Sequence, residues 1–212
     1  MSGKPLTQQD HDRIAEAIRA AEKTTAGEIY CVVARSSDDY YFPAALVALV
    51  SMLVASLGVA VALEFFWLGI RLPWFVAAQV LAFAGVHVLL VTFPRLALLL
   101  TPRRLHFARA HGNAVKQFLA RNVHITAERT GVLVFVSLAE RYAEIIADGG
   151  IDAHVEQLLW DDIVADLIEH ARTGRLADGF VRAVSAVGAL LAAHAPKRDG
   201  DRNELDDHLV EL

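Results

Sequence analysis

Short apolar stretches and helically spaced apolar stripes alternate along the first and last parts of the chain. Stretches rich in β-branched residues predict strands at residues 28–34, 132–136 and 141–147. Apolar positions three and four residues apart predict amphipathic helices that begin near Thr7, after Pro102 and at Val155, and a last one from Leu176 to His194. Thr7 with Asp10 resembles a capping box at the start of the first helix. Helices that alternate with strands favour an α/β domain built around a short sheet.

Two longer stretches, residues 42–63 and 72–93, contain no charged side chain. Each has about 22 residues, enough for a helix to cross the roughly 30 Å hydrocarbon core of a bilayer. The connection between them, EFFWLGIRLPW, has the aromatic residues that are typical of a membrane interface. We therefore predict a transmembrane helical hairpin. Its deepest polar residues are Gln79 and His87, and we expect His87 to bond to one partner across the hairpin rather than to relay protons.

Basic residues set the predicted orientation of this hairpin. Arg71 lies in the connection, whereas several basic residues follow the second stretch: Arg95, Arg103, Arg104, Arg109 and Lys116. The positive-inside rule then places both ends of the hairpin in the cytoplasm. Because the chain returns to the side it left, we expect strands 28–34 and 132–136 to pair in one sheet. Residues 1–41 and 94–195 would form a split cytoplasmic domain, interrupted by the hairpin at 42–93.

Composition narrows the class of protein further. Of the 212 residues 55% are hydrophobic and mean hydropathy is +0.38, above the roughly 45–50% apolar content of soluble domains. The net charge of −5 excludes the strongly basic surface that is typical of nucleic-acid binding. The first residues lack the apolar segment of a secretory signal, and the single cysteine, Cys31, permits no disulfide within the chain. The acidic residues 196–212 predict a disordered tail.

Three stretches resemble the TPM domain family: TAGEIYCVVA, TGVLVFVSLAERYAEIIADGGI and WDDIVADLIEHARTGRLADGFVRAVSAVGALLAAH. That family includes a thylakoid-lumen acid-phosphatase-like protein, a photosystem II repair protein and an acetylcholine-receptor modulator. The chain is most similar to the small bacterial membrane members with a hairpin after the first strand. The resemblance implies a three-layer α/β/α fold with a short mixed sheet. It also implies either phosphatase activity or an accessory role in a membrane complex.

Candidate chemistry is expected where the first two strands end, because ligands bind beyond the carboxyl ends of parallel strands. The polar residues that follow these strands are Ser36, Ser37, Asp38, Asp39 and Arg141. Adjacent carboxylates are suitable ligands for Ca²⁺ or Mg²⁺, and such an ion would polarise a phosphoryl oxygen. Asp148, which matches the family's glycine-containing loop, is the candidate third ligand. The simpler alternative is that Asp38 and Asp39 only solvate a loop.

Two functional hypotheses follow from these observations. The first is a binding or accessory module for a complex in the inner membrane, without established catalysis, whose partner is a membrane protein or a second copy of the chain. The second is a divalent-metal-dependent, acid-phosphatase-like enzyme at the membrane surface. In both, the chain crosses the membrane twice with cytoplasmic termini. We expect Arg95, Arg103, Arg104 and Arg109 to bind membrane lipid at anionic headgroups, at about 1 kcal/mol each.

Overall fold

The computed structural model describes residues 6–126, 128–197 and 204–212. The helices and strands in these ranges follow one another in the order α1 (Gln8–Glu22), β1 (Ile29–Ala34), α2 (Tyr41–Phe65), α3 (Leu72–Thr92), α4 (Pro94–Leu100), α5 (Arg103–Ala120), β2 (Val132–Ser137), β3 (Tyr142–Ala147), α6 (Gly149–Asp152), α7 (Gln157–Arg172), α8 (Leu176–His194) and β4 (Leu209–Glu211). A short 3₁₀ turn, Val123–Ile125, follows α5. The α/β class predicted from the sequence is confirmed.

The chain divides into two compact units. One unit, here called the sheet domain, consists of Met1–Ser37 and Phe107–Leu212. The other, here called the hairpin unit, is the intervening segment Asp38–His106. The hairpin unit is therefore an insertion between β1 and the body of α5.

A mixed four-stranded sheet in the order β3-β2-β1-β4 forms the centre of the sheet domain. β1 and β2 run parallel, with Ile29 opposite Val132 and Ala34 opposite Ser137. The predicted pairing of these strands, which lie on either side of the insertion in sequence, is thus confirmed. β3 returns antiparallel to β2, and β4 adds parallel to the free edge of β1.

Helices cover both faces of the sheet. One face, with Cys31 and Val134 at its centre, packs against α1, α7 and α8. The other face, with Val32 and Phe135 at its centre, packs against Ala114 and Phe118 of α5. All residues of β1 and β2 are buried, as expected for strands that are covered on both sides.

The ends of several helices follow from local sequence signals. The side chain of Thr7 accepts a hydrogen bond from the Asp10 amide, and the Asp10 side chain accepts one from the Thr7 amide, which completes the predicted capping box of α1. α8 begins and ends at the predicted residues, and its Val184, Val187 and Leu191 are buried in the core of the domain. The apolar stripe of α8 therefore serves packing on the sheet.

The hairpin unit contains two long apolar helices, α2 and α3, at the positions predicted for the spans. Both are long and apolar enough to cross a membrane. In the most apolar 18-residue window of each helix, the buried share is 0% for α2 and 6% for α3. The Tyr41 hydroxyl lies 2.6 Å from His87 Nδ1, so His87 has a partner on the other long helix, as expected. The Gln79 amide likewise donates to the Ser56 hydroxyl. Helix α8 also meets the length and apolarity criteria, but 44% of its window is buried.

The short helix α4 was not predicted. It packs against α2 and α3 through Ala97, which is buried together with Tyr40, Ala44 and Leu90. Ala44 lies near the start of α2 and Leu90 near the end of α3. Because both lie at the same end of the hairpin, α4 covers the end at which the chain enters and leaves.

The prediction of a disordered tail at 196–212 is corrected for the residues that the structure describes. Residues 204–212 return to the sheet and include β4, in which Leu209 pairs with Cys31 and Glu211 with Val33. The backbone amide of Leu212 donates to the Val33 carbonyl, and the Arg35 amide donates to the Leu212 carbonyl. Pro196 forms an isolated bridge with Thr25, and residues 198–203 lie outside the described ranges.

Candidate functional site

The carboxyl ends of β1 and β2, here called the carboxyl edge, hold a cluster of polar side chains. Glu140, in the turn between β2 and β3, is 5% exposed. Its Oε1 accepts hydrogen bonds from the Ser37 amide at 2.8 Å and the Ser36 hydroxyl at 3.2 Å, and its Oε2 accepts one from the Ser137 hydroxyl. The cluster forms because the parallel register places Ala34 beside Ser137, so that the residues after both strands meet.

Helix α5 closes the same cluster from one side. The Ser37 and Ser137 hydroxyls lie 2.8 Å apart, and the Asn113 amide donates to the Ser37 hydroxyl at 3.4 Å. Gln117, one turn further along α5, donates to Asn113 at 3.4 Å. The polar groups at the ends of the two strands are thus bonded to one another and to α5.

A hydroxyl paired with a carboxylate resembles the arrangement that activates a nucleophile, but its burial argues for another role here. Ser137 is fully buried and Glu140 nearly so, which leaves their oxygens without access for a substrate. Arg141, expected at the same edge, is exposed and adopts a left-handed conformation (φ 55°) in the tight turn. The cluster therefore fixes the position at which the chain leaves β1 and turns after β2.

The two aspartates predicted as metal ligands lie just beyond this edge in sequence, at the start of the hairpin unit. Asp38 accepts a hydrogen bond from the Asp39 amide at 2.8 Å, and Asp39 accepts one from the Tyr41 amide at 3.1 Å. Tyr41 is the first residue of α2, so Asp39 satisfies an amide that the helix itself leaves unpaired. Local bonds of this kind agree with the simpler alternative, in which the two aspartates order a loop.

Asp148, the third candidate ligand, has a structural role in the sheet domain. It is 4% exposed and bonds through Oδ1 to Arg129 Nη2 at 2.7 Å and to the Gly149 amide at 2.6 Å. A Cβ at Gly150 would lie 2.4 Å from the Glu128 carbonyl oxygen, so this close approach requires glycine. Asp148 follows the last residue of β3, and Ala147 pairs with the first residue of β2. It therefore lies at the edge where β1 and β2 begin, opposite the carboxyl edge.

Within residues 6–126, 128–197 and 204–212, no group of three or more His, Cys, Asp or Glu side chains is arranged to hold a metal ion. The shared site of Asp38, Asp39 and Asp148 for Ca²⁺ or Mg²⁺ stays a prediction. The surface arginines Arg95, Arg103, Arg104 and Arg109 are all exposed.

A second group of carboxylates lies where β1 begins. Glu28 is 5% exposed and accepts hydrogen bonds from the backbone amides of Glu204 and Leu205 at 3.1 and 3.3 Å. Glu22, at the end of α1, accepts one from the Ile29 amide at 2.9 Å. These bonds connect the end of α1, the start of β1 and the returning C-terminal segment.

Burial strongly perturbs the titration of these two carboxyl groups. It raises the pKa of Glu22 to about 8; the Ile29 amide opposes the rise, and the carboxylates of Glu28 and Asp207 add to it. Burial also raises the pKa of Glu28. The hydrogen bonds from the Glu204 and Leu205 amides oppose this rise, and the negative charges of Glu204 and Asp207 add to it. In both groups burial in a poorly solvated place raises the pKa, and neighbouring carboxylates add to the rise.

Sequence reasoning anticipated the carboxyl edge but missed the residues that organise it. Glu140 and Ser137 lie within one of the TPM-like stretches, but neither was singled out as a site residue, since a glutamate in a turn is usually solvated. Nothing in the sequence indicated that Glu22 and Glu28 are buried, because their burial depends on the return of residues 204–212. The one available signal was that Glu28 directly precedes a fully apolar strand.

Comparisons with known proteins identify the family. The family model described as "TPM domain" matches residues 78–190, about half of the chain. A solved structure, the NMR structure of the BA42 protein from the psychrophilic bacterium Bizionia argentinensis, is similar with a TM-score of 0.61. The two are 18% identical, and the similarity covers 100% of this chain and 99% of that one, which supports the fold alone. No curated protein matches the chain significantly. On the family match, this chain belongs to the TPM domain family.

Proposed function

We propose that this chain is a membrane-anchored binding module. The hairpin unit crosses the inner membrane twice, and both termini and the sheet domain lie in the cytoplasm. The sheet domain binds a membrane protein or a second copy of the chain and serves as an accessory subunit.

The observation that carries the proposal is the exposure of α2 and α3. Leu53, Val54 and Leu57 on α2 are 63, 67 and 68% exposed, and Leu81 on α3 is 72% exposed. Apolar surface of this extent is costly in water, and a soluble monomer rarely exposes a patch beyond a few hundred Å². Lipid is the environment that two such helices require.

The sheet domain supports a binding role rather than a catalytic one. Its most conspicuous polar cluster, around Glu140, is buried and internally bonded. Its surface instead offers apolar side chains such as Leu158 and Leu159 at the start of α7, which are 69 and 42% exposed. The two adjacent leucines are the contact that we assign to the partner.

The orientation is tested by labelling introduced cysteines in intact cells. Cys31 is fully buried, and burial raises the pKa of its thiol, so we expect the native cysteine to react little with the label. We expect a membrane-impermeant maleimide to label Gly69→Cys in the α2–α3 connection and to label Ser36→Cys only after the cells are permeabilised. Equal labelling of both positions, or extraction of the chain by alkaline carbonate, would exclude a two-pass anchor.

The binding role is tested by photo-crosslinking in native membranes. A photoreactive amino acid at Leu158 should give a discrete adduct with a membrane protein or with a second copy of the chain. The same amino acid at Glu169, an exposed position near the end of α7 among charged residues, is the matched control. The absence of any adduct at exposed positions over the whole sheet domain would contradict the proposal.

A further inference from the structure

The end of the hairpin covered by α4 combines exposed apolar and exposed basic side chains. Leu99 is 83% exposed, Phe93 53% and Leu100 38%. Arg95 on α4 and Arg103 and Arg104 at the start of α5 are exposed within the same unit. α4 is packed on the hairpin through Ala97, which leaves its Arg95, Leu99 and Leu100 exposed.

The level of this surface relative to a bilayer follows from its packing, if the hairpin spans the membrane as proposed above. Ala97 of α4 is buried with Ala44, the fourth residue of α2, and with Leu90, the third-last residue of α3. Those residues lie where the helices leave the hydrocarbon core. A helix packed at that depth lies at the headgroup region.

Charge and apolarity then identify the molecule that this surface fits. An interfacial helix inserts apolar side chains below the headgroups, while arginines pair with phosphate oxygens above them. Leu99, Phe93 and Leu100 supply the first contact, and the three arginines supply the second. The acidic residues just before α2, Asp38 and Asp39, accept hydrogen bonds from the backbone amides of Asp39 and Tyr41.

We propose that α4 and the first turn of α5 form a binding surface for anionic phospholipid at the end of the hairpin where the chain enters and leaves. The inference rests on the proposed membrane anchor and adds to it a preference between lipids. The bound lipid would fix the depth of the hairpin and retain anionic lipids around the protein.

The test uses the full chain in vesicles of phosphatidylcholine with a minor fraction of phosphatidylglycerol. After mild detergent extraction, native mass spectrometry counts the lipids of each kind that remain bound. We expect phosphatidylglycerol to be enriched over its share in the vesicle. The enrichment should fall at least tenfold in the triple variant Arg95→Gln, Arg103→Gln, Arg104→Gln, since each arginine near the surface contributes about fivefold.

Two controls make the result specific. Arg71→Gln, in the connection at the other end of the hairpin, should leave the enrichment unchanged. High salt should reduce the enrichment in the wild-type chain, because headgroup contacts of exposed arginines are screened. Co-flotation of each variant with the vesicles shows that it is inserted.

Each outcome bears on a different claim. A wild-type chain that floats with the vesicles but shows no preference for phosphatidylglycerol overturns this inference and leaves the anchor intact. An enrichment that survives the triple substitution in a chain that still floats also overturns it. A wild-type chain that does not float with vesicles of either composition overturns the proposed anchor, and this inference with it.

Discussion

Glu140 is the residue that connects the ends of the two central strands. Its carboxylate accepts bonds from Ser36, Ser37 and Ser137, and these residues come from segments about a hundred positions apart in sequence. A buried carboxylate is stable only when its oxygens are bonded, because an unpaired charge in a low-dielectric interior is costly. In this cluster the serine donors satisfy the carboxyl oxygens, and the carboxyl group holds the donors in place.

We predict that Glu140→Ala lowers the free energy of unfolding of the sheet domain by about 3 kcal/mol, since it leaves several buried donors unpaired. Glu140→Gln keeps one acceptor oxygen and should cost about half as much. Hydrogen exchange of the β2 and β3 amides in the full chain measures the loss locally. Exposed Arg35→Gln is the control. Unchanged exchange in Glu140→Ala would show that the cluster does not stabilise the sheet.

Asp148 gives a prediction that separates a structural carboxylate from a metal ligand. Its oxygens already bond to Arg129 and to the Gly149 amide, so Asp148→Asn should destabilise the sheet domain by about 1–3 kcal/mol whether or not a chelator is present. Thermal unfolding with Ca²⁺, with Mg²⁺ and with chelator measures the effect, and exposed Asp152→Asn is the control. A metal-dependent rise in Tm that the Asp148 substitution abolishes would instead show that Asp148 binds a metal ion.

At the scale of elements, β4 is a strand whose position depends on hydrogen bonds from residues outside it. It has three residues, of which Leu209 alone is buried, and so its own apolar contacts are few. Additional bonds come from Glu28, which accepts the amides of Glu204 and Leu205, and from a 2.9 Å contact between His11 and Glu211. The strand depends on carboxyl groups in other elements, so its docking should depend on pH.

The sign of that dependence follows from Glu22 and Glu28. Both have a raised pKa in the folded protein, and Glu22 shifts from 4.5 to about 8. The folded state then binds more protons than the unfolded state between these values, so this contribution to stability is full below about 4.5, decreases through the window, and is lost above about 8. The charged groups that face Glu22 are Glu28 and Asp207, while Lys197 donates to the Glu22 backbone carbonyl rather than to its carboxylate.

We therefore predict that residues 204–212 detach more readily as pH rises from 6 toward about 9, beyond the Glu22 pKa of about 8. Protease protection of the C-terminal segment in the full chain measures the change, with the protease activity calibrated at each pH. Glu22→Gln removes the titrating group and should keep the segment protected at the higher pH. Glu16→Gln, on the same helix, is the control. A pH profile that is identical in wild type and Glu22→Gln would contradict the assignment.

The elements that sequence could predict are those whose signal is local. The lengths of α2 and α3, the capping box at Thr7 and the strands are each determined by residues close together in sequence. The structure contains the capping box, and the helices and strands lie at or near the predicted bounds. β4 and the Glu140 cluster were missed because they exist only once distant segments meet. Helix α4 was missed because its sequence, PRLALLL, reads as a continuation of the apolar stretch before it.

At the scale of the whole molecule, the chain is a sheet domain that tolerates an insertion inside one crossover. Without residues 38–106, β1, α5 and β2 form an ordinary connection between adjacent parallel strands. The two ends of the insertion lie close together, because Asn113 on α5 contacts Ser37 at 3.4 Å and Phe107 is about 9 Å further back along the helix. A short linker therefore bridges the gap.

We predict that replacing residues 38–106 with about six glycine and serine residues, each spanning up to about 3.5 Å, gives a soluble, folded sheet domain. The expected chain remains in the supernatant and shows a dispersed amide NMR spectrum with β1–β2 contacts, whereas the full chain sediments with membranes. Helix α8 makes this test decisive, because it is also long and apolar enough to span a bilayer. If α8 is a core helix, as the burial of Val184, Val187 and Leu191 indicates, the shortened chain needs no membrane. A shortened chain that still fractionates with membranes would identify α8 as a span and would contradict the assignment of the anchor to α2 and α3.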